Sequence, residues 1–317
     1  MTKSKSHWSK AGETGTILGM KCLLLIYRLF GRLGFRIVLL PVMGYYYLKN
    51  RTARNASKQY LQLLAPFIVS SEHSSLSSFK HFLMFGEMML DKFLVWMGKI
   101  DRNNVNFEAA TILDRVNENK QGGIIIISHL GNVEVCNAIG QKLPHINLTL
   151  LVNTEHAEKF NSLMKKVNNS PRIKMLQVKD MSPATAMILS ERIDAGEYIV
   201  IAGDRTPLTG QRRVSNVSFL GKTAPMPQGA FILASLLKCP VYLMFCLKQQ
   251  AQYHIYVELF SEQLKFPRKQ RHDAVTDAVQ SYANRLEYYC IKAPLQWFNF
   301  FPFWDSNDEN ESSGDKG

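Results

Sequence analysis

The residues best suited to chemistry are a histidine and a glutamate, His129 and Glu134, which follow a run of four isoleucines. A histidine directly after a buried strand faces the crevice in which open α/β sheets bind their ligands. Glu134, in the first turn or so of a helix, can turn back to one imidazole nitrogen and leave the other free to accept a proton. On spacing alone, a turn histidine beside a glutamate that only favours the helix dipole is an equal alternative.

A second polar pair, Asp204 and Arg205, follows another apolar run, 198–202, and we expect it at the same edge of the sheet. An arginine in that place can bind a phosphate group through two parallel hydrogen bonds. The alternative is an Asp–Arg pair that only orders its loop. Two further basic residues, Arg212 and Arg213, can contact phosphate from the same loop or form a solvated charge run.

Short apolar runs alternate with helical patterns through most of the chain. The expected strands are 122–127, 148–152, 174–178, 198–202, 241–247 and, at the edge of the sheet, 255–260. The expected helices between and after them are 131–142, 157–168, 183–195, 226–238 and 273–291. Strands joined by helices form parallel sheets, so the sequence predicts an α/β fold with a mainly parallel central sheet flanked by helices.

The N-terminal segment combines basic charge with apolar and aromatic side chains. Eleven Lys and Arg residues and a single acid lie within residues 3–58. The longest uncharged run, Ile37–Leu48, has 12 residues, whereas a spanning helix needs about 20. Arg28, Arg32 and Arg36 fall on one side of a helix, and we expect this helix to lie at an anionic membrane surface. A tilted span and a core helix with solvated arginines are the alternatives.

These patterns divide the chain into a membrane-associated helical segment, 1–60, an α/β catalytic domain, 61–304, and a disordered acidic tail, 305–317. The net charge of +12 also raises the question of a nucleic-acid partner. However, the aromatic residues of the basic segment accompany long aliphatic runs, and no nucleic-acid-binding module is recognisable. We therefore expect a membrane surface, and no nucleic acid, as the partner of the basic charge.

The sequence His-Leu-Gly-Asn-Val-Glu at 129–134 resembles the His-x4-Asp/Glu signature of the lysophospholipid acyltransferase superfamily. It is most similar to the His-Phe-Gly-Asn-Trp-Glu form of the bacterial lipid A late acyltransferases. The block 202–207 is similar to the third motif region of that family. Residues 217–221 and 224–227 resemble its Phe-x-Gly and Pro-containing elements, so the resemblance covers most of the chain.

The resemblance implies that His129 is a general base oriented by Glu134, and that an acceptor hydroxyl or amine attacks an acyl thioester directly. Backbone N–H groups near Gly131, or Arg205, can then stabilise the oxyanion. The implied substrate-binding residues are Gly131, Asn132, Asp204, Arg205, Arg212 and Arg213. The implied donor is an acyl carrier protein or acyl-CoA, and the acceptor is a lipid or glycolipid. The implied location is the cytoplasmic face of a bacterial inner membrane, with no cofactor and no metal.

The sequence departs from the family after the second strand, where the lipid A enzymes carry an Arg-Pro pair. This chain has Asn-Thr-Glu-His-Ala at 153–157 instead. The pair is thought to contact phosphate of the acceptor, so the identity of the acceptor stays open.

Other chemistries find less support in the sequence. Cys136 is expected to face away from His129, and Ser128 lacks the Gly-x-Ser-x-Gly elbow of serine hydrolases. The eight histidines do not cluster as zinc ligands. Two rival functions remain for the same fold: a catalytically inactive membrane-associated scaffold, and a lipid esterase or thioesterase.

Overall fold

The computed structural model describes residues 17–304 apart from 70–72, 74, 101–103, 109–121, 136–146, 153–172, 178–181, 206–212 and 251. Its helices are α1 (Ile17–Lys49), α2 (Arg51–Leu64), α3 (Ser78–Trp96), α4 (Pro183–Asp194), α5 (Gly229–Leu237) and α6 (Arg271–Lys292). Its strands are β1 (Val105–Phe107), β2 (Gly123–Ile127), β3 (Asn147–Val152), β4 (Ile173–Gln177), β5 (Glu197–Ala202), β6 (Val214–Phe219), β7 (Lys222–Pro227), β8 (Val241–Gln249) and β9 (Gln252–Ser261).

Seven of these strands form one sheet in the order β1-β9-β8-β2-β5-β3-β4. The neighbours within it are parallel, except that β8 and β9 form an antiparallel hairpin. The prediction of an α/β fold with a mainly parallel sheet is confirmed. Strand β2 lies inside the sheet between β5 and β8, and its isoleucines pack into cores on both faces, which favours a continuous apolar sequence over an alternating one.

Helices cover both faces of the sheet. Ile124 and Ile126 point into a core formed with α2, α4, α5, α6 and the β6–β7 hairpin. Ile125 and Ile127 lie against the opposite core, to which α1 and α3 contribute Phe35, Leu39, Met88 and Leu94 among others. The Phe and Met residues of α3 are therefore mostly core packing.

Two expected elements differ from the structure. The run 255–260 was predicted at the edge of the sheet, but it belongs to β9, and β1 pairs with β9 on its outer side. A three-residue strand such as β1 is too short to have a recognisable period. The segments 217–221 and 224–227 belong to the β6–β7 hairpin, which forms a separate two-stranded sheet, so the helix expected at 226 begins at Gly229. The expected helix 157–168, most of the helix 131–142 and the acidic tail lie outside the described residues.

In helix α1, two arginines contact α3, and a row of apolar residues points away from the protein. Arg36 donates two hydrogen bonds to Glu87 at 2.8 and 3.0 Å, and Arg32 pairs with the buried Asp91, both on α3. Arg28 is exposed. The predicted single-sided arginine row is thus partly the contact surface with α3, because the carboxylates of that helix lie opposite it.

The outward side of α1 carries a row of exposed apolar residues on either side of Gly31. Its members are Leu25, Leu29, Phe30, Leu33, Ile37, Leu40, Tyr45 and Leu48, which are 47–72% exposed. The helix is broken at Gly31, whose φ is 64°. In the part of the chain that the structure describes, no helix has the length and apolar character needed to cross a membrane.

Candidate active site

The candidate site lies where β2 and β5 end side by side. The register of these parallel strands places Ile127 opposite Ala202. His129 and Asp204 each follow two residues after the end of their strand, so the register brings them together at the carboxyl edge of the sheet. This edge is where α/β sheets bind their ligands.

His129 and Asp204 are joined by two hydrogen bonds. The imidazole Nδ1 lies 2.8 Å from Asp204 Oδ1, and the backbone N–H of His129 donates to Oδ2 at 2.8 Å. The Asp204 side chain is fully buried, whereas 35% of the His129 side chain is exposed. An ionised carboxylate only accepts hydrogen bonds, so Nδ1 carries the proton and Nε2 holds the lone pair.

Each group of the pair is held in the state that a general base requires. Burial would raise the pKa of Asp204, but the charge and hydrogen bonds of His129, together with Arg205, lower it to about 2. Desolvation lowers the pKa of His129; Asp204 opposes this effect, whereas Arg205 and Lys92 add to it. Near pH 7 the pair is therefore a carboxylate and a neutral imidazole, and Nε2 has no hydrogen-bond partner among the described residues.

Gly131 and Asn132 position the loop rather than present donors to a ligand. The N–H of Gly131 donates to Gln296 O at 2.8 Å, and that of Asn132 donates to Cys246 O at 2.9 Å. The Asn132 side chain, which is buried, donates to Met88 O at 3.3 Å. Backbone donors near Gly131 were one of two alternatives for the oxyanion, the other being Arg205, and these two donors are already bonded to carbonyl oxygens.

Arg205 follows Asp204 directly in the chain, and its charge lowers the pKa of both His129 and Asp204. Its Nη2 donates to Phe298 O at 2.8 Å, and its guanidinium lies 5.7 Å from the ring centroid of Phe301. Arg213 is exposed just before β6 and is not among the groups that contact the pair in the described part of the chain. Arg212 lies outside the described residues. Within them, no cluster of three His, Cys, Asp or Glu side chains can hold a metal ion.

Most of the chain matches a known protein family. Residues 15–306 match the bacterial lipid A biosynthesis acyltransferase family. The chain belongs to this family. The resemblance drawn from residues 129–134 is thereby confirmed, and membership indicates a lipid A-type acyltransferase. A search of curated proteins finds no match.

The acidic residue of the acyltransferase signature, Glu134, is paired with a lysine. Its carboxylate lies 2.9 Å from Lys92 Nζ on α3, and both side chains are 20% exposed. The sequence predicted that Glu134 contacts one imidazole nitrogen of His129, whereas in the structure the carboxylate on Nδ1 is that of Asp204. Glu134 is five residues from His129 along the chain, whereas Asp204 reaches the ring through the β2–β5 register, which spacing does not reveal.

A C-terminal segment of the acyltransferase, residues 296–299, completes the site and was not predicted. Trp297 forms an isolated antiparallel bridge with Leu130, and the N–H of Phe298 donates to His129 O at 3.0 Å. Gln296 bonds the backbone of Lys248 through both ends of its side-chain amide. The only sequence signal for this segment is its high aromatic content, since the run Gln-Trp-Phe-Asn-Phe-Phe has no helical period and no motif spacing.

The tight fit at Gly131 leads to a stability prediction. Its φ is 75°, and a Cβ there would meet Cys246 O at 1.9 Å, so Gly131→Ala must displace the loop that carries His129. We expect a loss of about 1–3 kcal/mol in the free energy of unfolding, measured by chemical denaturation in detergent. Gly44→Ala is the matched control, because nothing lies within 4 Å of that Cβ. Equal denaturation midpoints for the two variants would contradict the prediction that the contact with Cys246 O requires glycine at position 131.

Proposed function

We propose that the protein transfers a fatty acyl chain from a thioester to a hydroxyl or amine of a lipid or glycolipid, with His129 as general base. The observation that carries this proposal is the Asp204–His129 pair, which leaves Nε2 available at the carboxyl edge of the sheet. Family membership supplies the reaction class. The pair supplies the proton acceptor that attack on a thioester requires.

The proposed reaction needs no covalent enzyme intermediate. His129 Nε2 takes the proton of the acceptor group as its oxygen or nitrogen attacks the thioester carbonyl. Asp204 stabilises the imidazolium that forms, because its carboxylate is ionised and hydrogen-bonded to Nδ1. When the tetrahedral intermediate collapses, the C–S bond breaks and the imidazolium returns the proton to the leaving thiolate. The products are an ester or amide and a free thiol.

Arg205 is the proposed cation for the developing negative charge. Its contacts with Phe298 O and the Phe301 ring fix the guanidinium beside the pair, and a cation held in place this way stabilises an oxyanion or an acceptor phosphate. The N–H groups of Gly131 and Asn132 are bonded to carbonyls, which favours Arg205 for this role. The donor is an acyl carrier protein or a CoA thioester.

The proposed location is the cytoplasmic face of a bacterial inner membrane, and the outward row of α1 is the proposed membrane contact. Leucines and aromatics that are 47–72% exposed along α1 favour insertion into the acyl region of a bilayer. The exposed Arg28 and the basic residues before it are suited to anionic headgroups. Arg32 and Arg36 instead join α1 to α3, which ties the lipid-facing row to the catalytic domain.

The reaction is tested with the full chain in detergent, given acyl-carrier-protein and CoA thioesters and a total lipid extract from the host. We expect mass spectrometry to find a lipid that gains an acyl mass with the wild type. His129→Ala should lower that rate by about 10²–10⁴, because the base is lost. Free fatty acid as the sole product would favour a hydrolase. Folded protein that consumes neither thioester would favour the scaffold.

The partner of His129 is tested by comparing two isosteric variants. Asp204→Asn keeps the shape of the side chain but removes the charge that stabilises the imidazolium, so we expect kcat to fall by about 10²–10⁴. Glu134→Gln removes the partner of Lys92 and is expected to cost about tenfold or less, since that ion pair is partly exposed. A larger loss with Glu134→Gln than with Asp204→Asn would assign the orienting role to Glu134.

The membrane contact is tested by adding charge to the α1 row. Leu29 and Leu33 are 66% and 72% exposed, and the double change to Asp should weaken binding to phosphatidylglycerol-containing vesicles at least about tenfold. Met187→Asp is the control, because Met187 is 66% exposed on α4. Vesicle co-sedimentation measures both variants. Undiminished binding of the α1 variant would contradict the proposed contact.

A further inference from the structure

Trp297 supplies a further hydrogen bond to the buried carboxylate of Asp204. Its indole Nε1–H donates to Asp204 Oδ2 at 3.0 Å, and the Trp297 side chain is fully buried. Oδ2 also accepts the backbone N–H of His129, and Oδ1 accepts the imidazole. Both oxygens of Asp204 are thus held by named donors, one of which comes from residues 296–299.

Trp297 is itself fixed by a chain of buried hydrogen bonds. His81 on α3 lies with Nε2 3.0 Å from Trp297 O, and its Nδ1 lies 3.0 Å from Ser57 Oγ on α2. A carbonyl only accepts, so Nε2 carries the proton and Ser57 donates to Nδ1, while Ser78 donates to Ser57 at 2.9 Å. Burial lowers the pKa of His81 to about 4, so it stays neutral and keeps this arrangement.

This buried Ser–His arrangement is not a second catalytic site. Ser57 and His81 are fully buried and Ser78 nearly so, and the tautomer is set by Trp297 O. A nucleophile must reach its substrate, and these hydroxyls are covered. Its hydrogen bonds join α2 and α3 to residues 296–299, which include the indole donor to Asp204.

We propose that Trp297 is a positioning residue for the His129–Asp204 pair, acting through its indole N–H on Asp204 and held in place by His81. The inference rests on the proposed acyltransferase function, in which Asp204 stabilises the imidazolium. The indole N–H fixes the carboxylate plane, so that Oδ1 stays directed at Nδ1 and Nε2 keeps one orientation. It also shares the negative charge of the carboxylate, which limits how strongly Asp204 favours the protonated ring.

The sign of the expected pH effect follows from the groups around His129. Those that face the pair are Asp204, Arg205, Lys92 on α3, and Tyr282 and Cys290 on α6. When the indole donor is removed, more of the Asp204 charge acts on the imidazole and the pKa of His129 rises. Only the neutral ring is a base. The variant without the indole donor should therefore need a higher pH than the wild type to become active.

The experiment compares Trp297→Phe with Trp304→Phe in the full chain. Both remove an indole from the same aromatic cluster, but Trp304 Nε1 has no hydrogen-bond partner in the described structure. We expect Trp297→Phe to lower kcat about tenfold or more with KM for the thioester unchanged. We also expect the acid limb of the pH–rate profile to move up by about 0.5–1 unit. Trp304→Phe should change neither.

A second readout does not depend on turnover. The pKa of His129 is measured by NMR of ¹³C-labelled histidine, assigned with His129→Gln, and should rise in Trp297→Phe and stay constant in Trp304→Phe. If Trp297→Phe does not fold, 3-benzothienyl-alanine at position 297 removes the N–H while keeping the ring size.

The outcomes separate the two proposals. Equal pKa values and equal kcat for the two Phe variants, with an active wild type and an inactive His129→Ala, would overturn the positioning role and leave the acyltransferase intact. A wild type without His129-dependent acyl transfer would overturn the proposed function. The NMR titration would then still decide whether the indole tunes His129.

Discussion

The buried carboxylate of Asp204 is the constraint on which the rest of the site depends. An ionised carboxylate without water is tolerated in a protein interior only when donors surround it. Here the donors are the ring and backbone of His129 and the indole of Trp297. To bring these donors to the Asp204 carboxylate, the protein needs the β2–β5 register, the bent loop at Gly131 and the return of the chain at residues 296–299. These features therefore form one unit.

Much of the sheet was predictable because each strand can be recognised from its own short run of residues. Runs such as 124–127 and 198–202 are too apolar and β-branched for a surface, and the helices between them impose parallel pairing. The placement of His129 and of the Asp204–Arg205 loop at the carboxyl edge of the sheet was also predictable, since both follow such runs. Which acid contacts the imidazole was not, because strand register is a non-local property and sequence proximity favours Glu134.

The N-terminal helix shows a similar limit. Its spacing predicts a single row of three arginines, but the helix is broken at Gly31, between Arg28 and Arg32, and arginines are equally suited to water, headgroups or carboxylates. In the structure, Arg36 and Arg32 form ion pairs with Glu87 and Asp91 of α3. The outward side of α1 is then left uncovered and apolar, while other apolar residues of the same helix, such as Phe35 and Leu39, pack into the core.

The closure of the site by residues 296–299 has a consequence for biosynthesis. The hydrogen bonds from Trp297 to Asp204 and from His81 to Trp297 join residues 93 and 216 positions apart. A nascent chain can form β2, β5 and their neighbours on the ribosome, but until the last of these residues emerges the Asp204 carboxylate lacks its indole donor. The Asp204 carboxylate therefore gains its indole donor only at the end of translation, and any product that stops short of Trp297 has the sheet and the His129–Asp204 pair without that contact.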